Sequence, residues 1–266
     1  MIARSTRLAV GICRVRRQTV MVDIAAAISQ CSAGRIERVT MVATQRLVLD
    51  VHGIGSMPSW VEPDEARYWC DATSTFEAIL DAIPDTTAAT GVPIELTFDD
   101  GNQSDATIAT PALIKRNLKG AFFVCAGRIG EPGYLDRSAM MDMLDAGMTI
   151  GSHGWSHVDW RRADDATLEQ ETQGAKHKIE DVIGRAVDSV AIPFGSYDRR
   201  VMGKLGAIKT IYTSDKGLAP LSGRIVTRES YRKDWLPDTL MELASAREGA
   251  LGAARRALKS AMKRLR

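Results

Sequence analysis

The chain has 266 residues, of which 45% are hydrophobic and 26% are charged, and its formal net charge is +2. This balance is typical of a globular protein with one barrel-sized domain and extensions. The near-neutral charge excludes the strong positive field of a nucleic-acid-binding protein, and no uncharged apolar run approaches the roughly 20 residues of a membrane-spanning helix. The four cysteines follow no disulfide or metal-binding spacing, which favours free thiols.

The first 44 residues carry five arginines before the first acidic residue, Asp23. The apolar run from Leu8 to Cys13 is too short for the hydrophobic core of a signal peptide. We interpret residues 1–44 as a poorly ordered arm, an extension upstream of a true start at Met41, or an accessory hairpin. We expect a weakly structured or accessory extension and, because no signal is recognisable, a cytoplasmic protein.

From residue 45 onward, short β-like runs alternate with helix-like segments. The predicted strands are Arg46–Val51, Val92–Phe98, Gly120–Cys125, Met148–Ser152, Ser189–Pro193, Thr210–Thr213 and Arg224–Thr227. The predicted helices are Ser74–Ile83, Asp105–Leu118, Arg137–Ala146, Asp164–Ile183 and Asp198–Leu205. This alternation indicates parallel βαβ units, and seven strands suit a distorted α/β barrel better than a long open sheet. We assign residues 45–235 to this barrel and residues 236–266 to a basic amphipathic helix.

Carboxylates and imidazoles follow two of the predicted strands. Asp99 and Asp100 end one apolar run, and His153 and His157 follow another. Reactive residues of a barrel gather where its parallel strands end, so we expect these side chains to meet. One carboxylate and two imidazoles suit a catalytic divalent-metal site, which activates water and polarises a carbonyl. A second carboxylate, Asp99, can accept the proton of the water.

Each motif has a simpler interpretation when it is taken alone. An Asp-Asp-Gly sequence is usually a turn, and two histidines four residues apart often lie on a solvated helix face. Both motifs occur at strand ends in a chain with only four histidines. That coincidence favours the metal site.

Three segments resemble the motifs of the polysaccharide deacetylases, the NodB-homology domain. They are Thr97-Phe98-Asp99-Asp100-Gly101, Ser152-His153 through Ser156-His157, and Ile192-Pro193-Phe194-Gly195. The resemblance covers roughly residues 46–230 and implies a distorted (β/α)7 barrel of the NodB-homology type. It also implies a hydrolase that removes an acetyl group from an N-acetylated sugar of a polysaccharide or glycoconjugate.

The resemblance further implies roles for individual residues. Asp99 is the base, and Asp100, His153 and His157 are the ligands of one divalent metal. Zinc is the expected ion, although cobalt, nickel or iron suits the same donors. A backbone donor in the turn near Phe194 holds the oxyanion.

Candidate substrate-binding residues lie in and around the second and third motifs. Pro193, Phe194 and Tyr197 are expected to contact sugar. Trp155 either stacks on sugar or covers the metal loop, and the sequence leaves both interpretations open.

The chain departs from the family pattern at two places. Ala191 replaces the arginine that braces the base, and no histidine follows His177 to act as the C-terminal general acid. His52, which ends the strand-like run 47–51, offers a repair. The arrangement resembles the circularly permuted poly-N-acetylglucosamine deacetylases, so we hypothesise that His52 protonates the leaving amine, the alternative being a buried or turn histidine. Arg228, at the end of the last predicted strand, could reach the site, but we expect it at the surface, so the missing arginine has no assigned replacement.

Two other functions stay open. The missing arginine and histidine favour a catalytically impaired glycan-binding or scaffold protein, against which the retained Asp99 speaks. Relatives of this barrel also act on other C–N bonds, so an amide or ester hydrolase with a non-sugar substrate is the second alternative.

The segment from Arg247 to Arg266 contains seven basic residues and one acidic residue. Its apolar residues recur at helical spacing. Such a helix either binds an anionic membrane, where a lipid-linked sugar would be the substrate, or packs on the barrel with its charges in water. We expect the second arrangement.

Overall fold

The computed structural model describes residues 43–61, 65–246 and 258–263, all of which belong to the unit Met41–Arg266. The predicted extension 1–44 lies almost wholly outside these ranges, so its interpretations stay predictions. No helix within the described ranges is long and apolar enough to cross a lipid bilayer.

Short strands build the framework of the described part of the chain. They are β1 Gln45–Val51, β2 Gly53–Ile54, β3 Trp69–Cys70, β4 Ile94–Phe98, β5 Gly120–Val124, β6 Thr149–Ser152, β7 Ser189–Ala191, β8 Thr210–Thr213, β9 Ala219–Pro220, β10 Ile225–Thr227 and β11 Glu229–Ser230. Each of the seven predicted strands is confirmed close to its predicted bounds.

The main sheet is a nearly closed parallel ring. Its strand order is β10-β8-β7-β6-β5-β4-β1-β11, with β9 added antiparallel to β1. The two ends of this order, β10 and β11, are consecutive in the chain and are separated only by Arg228. β10 pairs with β8 and β11 pairs with β1, so the backbone changes its partner at Arg228. β10 and β11 together fill one position of the ring. The ring therefore has seven strand positions, which confirms the predicted (β/α)7 barrel.

Helices cover the outside of the ring. They are α1 Thr73–Thr90, α2 with the segments Asp105–Ala109 and Thr110–Lys115, α3 Arg137–Asp145, α4 with the segments Asp165–Glu169, Gln170–Gly174 and Ala175–Ile183, α5 Arg199–Lys204 and α6 Pro237–Ser245. The middle segment of α4 and the first segment of α2 are π-helical. The first helix does not end at Ile83 as predicted, because Ile83 and Thr86 are buried and their packing carries the helix through Pro84.

Aromatic and aliphatic side chains fill the space between the ring and the helices. Phe98 of β4 stacks on Phe122 of β5 with ring centroids 4.5 Å apart, and both are fully buried. This packing fixes the spacing of β4 and β5, whose carboxyl ends carry part of the site.

The C-terminal segment is not one continuous helix. α6 ends at Ser245, and the backbone of Ala246 after it is extended. A further helical segment is described at 258–263. Leu258 and Met262 are exposed on that segment. The expectation that the apolar stripe packs on the barrel is therefore wrong for these residues.

Candidate active site

The structure brings Asp100, His153 and His157 together at the carboxyl ends of β4 and β6. One ligand atom of each residue lies within 4.8 Å of the others. Oδ1 of Asp100 is 3.9 Å from Nε2 of His153 and 3.6 Å from Nε2 of His157. This oxygen is buried and accepts no hydrogen bond from the described residues, although Nη1 of Arg128 lies 3.5 Å from it. A buried carboxylate oxygen usually accepts at least one hydrogen bond, so this oxygen keeps acceptor capacity for a metal. The three residues therefore fit a divalent metal.

The two imidazoles are in the state that a metal ligand requires. Nδ1 of His153 lies 2.9 Å from the carbonyl oxygen of Ala191. Because a carbonyl only accepts, Nδ1 carries the proton and Nε2 keeps its lone pair for the metal side. Burial lowers the pKa of His153 and of His157 to about 4. Both rings are thus neutral at pH 7 and available to bind a metal.

Left-handed backbone conformations mark the site. Asp100, His157 and Phe194 have φ of 77°, 57° and 58°, and Asn117 is the only other described non-glycine residue with positive φ. Such conformations cost about 1–3 kcal/mol each and concentrate at functional sites. The turns that carry these side chains are thus held by the surrounding fold.

Glu171 holds the loop that carries the two histidines. Its carboxylate accepts the backbone N–H of Trp155 at 2.9 Å, the backbone N–H of Ser156 at 2.8 Å and the indole N–H of Trp160 at 3.2 Å. Glu171 lies in the π-helical segment of α4, a geometry that recurs at functional sites. Sequence reasoning missed Glu171, because nothing in the sequence distinguishes it from a surface glutamate of a helix.

The expectation that Arg228 lies at the surface is wrong. Its side chain is fully buried, Nη1 donates to Oδ1 of Asp99 at 2.7 Å, and Nη2 donates to Oδ2 of Asp99 at 2.8 Å. Nη1 also donates to Oδ1 of Asp50 at 3.1 Å. The break between β10 and β11 places this guanidinium inside the barrel. Arg228 thus braces Asp99 in place of the arginine that Ala191 replaces.

Asp99 is an ionised carboxylate beside the metal ligands. Burial alone would raise its pKa, but the charge of Arg228 and the hydrogen bond from Arg228 hold that pKa well below its usual range. Oδ2 of Asp99 lies 3.7 Å from Nε2 of His153. Each oxygen keeps acceptor capacity beyond its bond to Arg228, so Asp99 is able to accept a proton.

His52 follows β1 and lies beside Asp50, with Nε2 of the imidazole 4.0 Å from Oδ2 of the carboxylate. Nδ1 of His52 is buried and no hydrogen-bond partner is found for it in the described part of the chain. Burial lowers the pKa of His52, but the charges of Asp50, Asp100 and Asp99 outweigh it and raise that pKa above its ordinary value. The catalytic role of His52 stays a prediction.

A cavity of about 300 Å³ opens beside these residues. Its lining combines aromatic rings with charged and polar groups: His52, Trp60, Val61, Glu65, Trp69, Asp100, Asn102, Arg128, Tyr134, His157 and Phe194. Phe194 is 58% exposed, and its ring centroid is 4.5 Å from that of His157. Among the predicted sugar contacts, Phe194 therefore faces the cavity.

The other predicted sugar contacts do not line the cavity. Pro193 and Tyr197 are buried, and the hydroxyl of Tyr197 donates to Asp215. Trp155 lies so close to Gly127 that a Cβ there would come within 2.9 Å of the indole. The covering interpretation of Trp155 agrees with this packing.

The fold and the geometry together define a parallel barrel with a candidate metal site and a braced carboxylate at its carboxyl end. Residues 87–209 match the family model described as polysaccharide deacetylase. The chain is therefore similar to this family over residues 87–209. The three segments that resemble the NodB-homology motifs all lie within these residues.

Relatives in sequence and structure agree with this match. Over 121 residues, which are 45% of this chain and 25% of the relative, the chain is 29% identical to the peptidoglycan-N-acetylglucosamine deacetylase PgdA of Listeria monocytogenes. The solved structure of Streptococcus pyogenes deacetylase PplD in complex with acetate is similar, with a TM-score of 0.65, 20% identity and coverage of 76% of this chain and 99% of that one.

A second solved structure, IcaB from Ammonifex degensii, has a TM-score of 0.60, 19% identity and coverage of 77% of this chain and 98% of that one. At these identities the structural likeness concerns the fold. The chain spans about a quarter of the length of the Listeria relative that it matches.

Proposed function

We propose that the protein is a metal-dependent hydrolase that removes the acetyl group from an N-acetylated sugar of a polysaccharide or glycoconjugate. The observation that carries the proposal is the pair of Asp99 and Arg228 beside Asp100, His153 and His157. An ionised, braced carboxylate next to a metal-ligand set is what base-assisted hydrolysis requires. The name of the Listeria relative, a peptidoglycan-N-acetylglucosamine deacetylase, supports the choice of an N-acetylated sugar.

The residues divide the reaction between them. Asp100, His153 and His157 would hold a divalent metal, zinc in our proposal, and this ion supplies Lewis-acid activation of the water and the acetamide carbonyl. Asp99 accepts the proton of the attacking water on a carboxylate lone pair that its hydrogen bonds to Arg228 do not use. His52 donates a proton to the amine nitrogen as the C–N bond breaks, so the products are acetate and a free amino sugar.

The turn Pro193–Gly195 supplies the oxyanion donor in this proposal. Pro193 has no N–H, the N–H of Gly195 donates to the carbonyl of Ile192 at 3.0 Å, and that of Ser196 donates to the carbonyl of Pro193 at 3.1 Å. Among the amides of this turn, the N–H of Phe194 is therefore the candidate donor to the developing negative charge.

The bracing of Asp99 also bears on the alternatives. The missing arginine was one of two arguments for an impaired glycan-binding or scaffold protein, and Arg228 supplies that contact. The aromatic lining of Trp60, Trp69, Tyr134 and Phe194 supports a ring-shaped substrate such as a sugar over a small acyclic amide or ester.

The first prediction tests the activity directly. We expect acetate release from at least one member of a panel of N-acetylated oligosaccharides, loss of that release with a chelator, and recovery on addition of Zn²⁺ or Co²⁺. Metal content is measured by mass spectrometry on the same samples. Metal-loaded protein that releases no acetate from any sugar of the panel would contradict the proposal.

We further propose that the protein works at the cytoplasmic face of a membrane on a lipid-linked sugar. The supporting observation is that Leu258 and Met262 lie one helical turn apart and are 61% and 47% exposed, in a segment rich in basic residues. Such a face suits insertion into an anionic interface.

Co-sedimentation with liposomes tests this second prediction. We expect retention on liposomes with anionic lipid but not on neutral ones, and about tenfold weaker retention for Leu258→Asp, because the apolar side chain no longer enters the interface. The exposed Leu221→Asp on the barrel serves as the control. Absence of binding to both kinds of liposome would end the proposal.

A further inference from the structure

We infer that the C-terminal helical segment 258–263 is part of the substrate site, where Lys263 holds the turn Pro193–Gly195 and thereby positions Phe194 at the cavity. The expected effect on deacetylation kinetics rests on the proposed deacetylase function. The contact between Lys263 and the turn does not depend on any reaction. Lys263 touches no reacting group in this scheme and is a positioning residue.

Lys263 joins three parts of the chain through one ammonium group. Its Nζ donates to Oδ1 of Asp215 at 2.6 Å and to the carbonyl oxygen of Gly195 at 3.2 Å. It also lies 4.9 Å from the ring centroid of Tyr197, within the range of a cation–π interaction. One cation thus contacts the turn, Tyr197 two residues beyond it and the loop that follows β8.

Asp215 is the anchor of this arrangement. Its Oδ2 accepts the hydroxyl of Tyr197 at 2.5 Å and the hydroxyl of Ser260 at 3.1 Å. Burial raises the pKa of Asp215, but the hydrogen bonds from Lys263 and Tyr197 and the charge of Lys263 outweigh it and lower that pKa. The carboxylate is therefore ionised, and two side chains of the segment 258–263 bind it. Tyr197, which was expected to contact sugar, belongs to this cluster instead.

The turn needs support from outside because its own conformation is unfavourable. Phe194 and Gly195 have φ of 58° and 57° in succession. A Cβ at position 195 would lie 2.9 Å from the Cβ of Ser214, so the backbone here packs closely on the loop after β8. Phe194 is more than half exposed, which means that burial of its ring cannot fix its position. Beside the ring contact with His157, the bond from Lys263 to the neighbouring carbonyl restrains the turn.

Kinetics of matched lysine variants test the inference. Lys263→Met keeps the aliphatic stem and removes the charge, whereas Lys259→Met makes the same change at an exposed position of the same segment. We expect Lys263→Met to lower kcat/KM about five- to tenfold, because the turn that it loosens carries both the Phe194 ring at the cavity and the Phe194 N–H proposed as the oxyanion donor. Lys263→Arg restores most of this loss, Asp215→Asn reproduces it, and Lys259→Met behaves as wild type.

Amide hydrogen exchange supplies a readout that needs no substrate. We expect peptides covering residues 193–197 to exchange faster in Lys263→Met than in wild type and Lys259→Met, with unchanged exchange in the rest of the barrel and unchanged metal content. Unchanged exchange at 193–197, or faster exchange throughout the barrel, would overturn the inference. If wild type deacetylates no sugar while exchange at the turn responds as expected, the proposed function fails and the role of Lys263 in holding the turn stands.

Discussion

Replacing Arg228 by methionine should both destabilise the fold and abolish acetate release. The guanidinium is fully buried and binds the carboxylates of Asp50 and Asp99, so its loss leaves two buried carboxylates without their cation. Removal of one partner from such a network costs about 3–5 kcal/mol of the free energy of unfolding. Activity is lost as well, because the pKa of Asp99 rises and its carboxylate is free to rotate. Urea unfolding and acetate release measure the two effects.

Two further variants separate the causes. Arg232→Met removes an arginine four residues on whose side chain is 54% exposed, and we expect it to change stability by less than about 0.5 kcal/mol. Adding Asp50→Asn to Arg228→Met removes one of the two unpaired charges, so part of the stability returns while Asp99 stays unbraced and inactive. An Arg228→Met protein with near wild-type stability and turnover would show that the buried pair has neither role.

The reactive residues were predictable because their placement follows from local patterns. Asp99 and Asp100 are the first two residues after β4, and His153 and His157 lie one and five residues after the end of β6. Parallel strands bring their carboxyl ends to one edge whatever the details of the packing. A sequence pattern of strand followed by reactive residue was therefore enough to predict that the four side chains meet.

Arg228 was not predictable in the same way. Its contact with Asp99 joins residues 129 positions apart and depends on where the last strand changes its pairing partner from β8 to β1. Flanked by Thr227 and Glu229, it has the polar neighbours of a surface residue. The sequence near Ala191 therefore does not indicate Arg228, which follows a later strand of the ring.

The position of a residue next to a motif in the sequence does not predict which way its side chain points. Tyr197 follows the third motif by two residues, yet its side chain turns inward to Asp215 while Phe194 faces the cavity. Phe194 also has a positive φ, which the motif does not reveal. Trp60 and Tyr134, which do line the cavity, come from loops whose length and composition carry no motif.

Replacing His52 by glutamine should lower kcat by about 10²–10⁴-fold with metal still bound, because glutamine cannot supply the proton that the leaving amine requires. His177→Gln, at an exposed position of α4, is the matched control and should have no effect. The comparison uses acetate release and metal content on each variant. Near-normal turnover of His52→Gln in metal-loaded protein would rule out this histidine as the acid.

The pH profile tests the same assignment through the charge of Asp50. Because His52 acts when protonated and its pKa is raised, kcat/KM should fall with rising pH through a limb that lies above pH 6.5, the ordinary value for histidine. Asp50→Asn removes the largest of the charges that raise this pKa, so the falling limb should move to lower pH. A limb that stays in place in Asp50→Asn would assign the descending ionisation to a group other than His52. A shift in the expected direction would make Asp50, His52, Asp99 and Arg228 one charge network, in which one arginine holds the base ionised and one aspartate keeps the acid protonated.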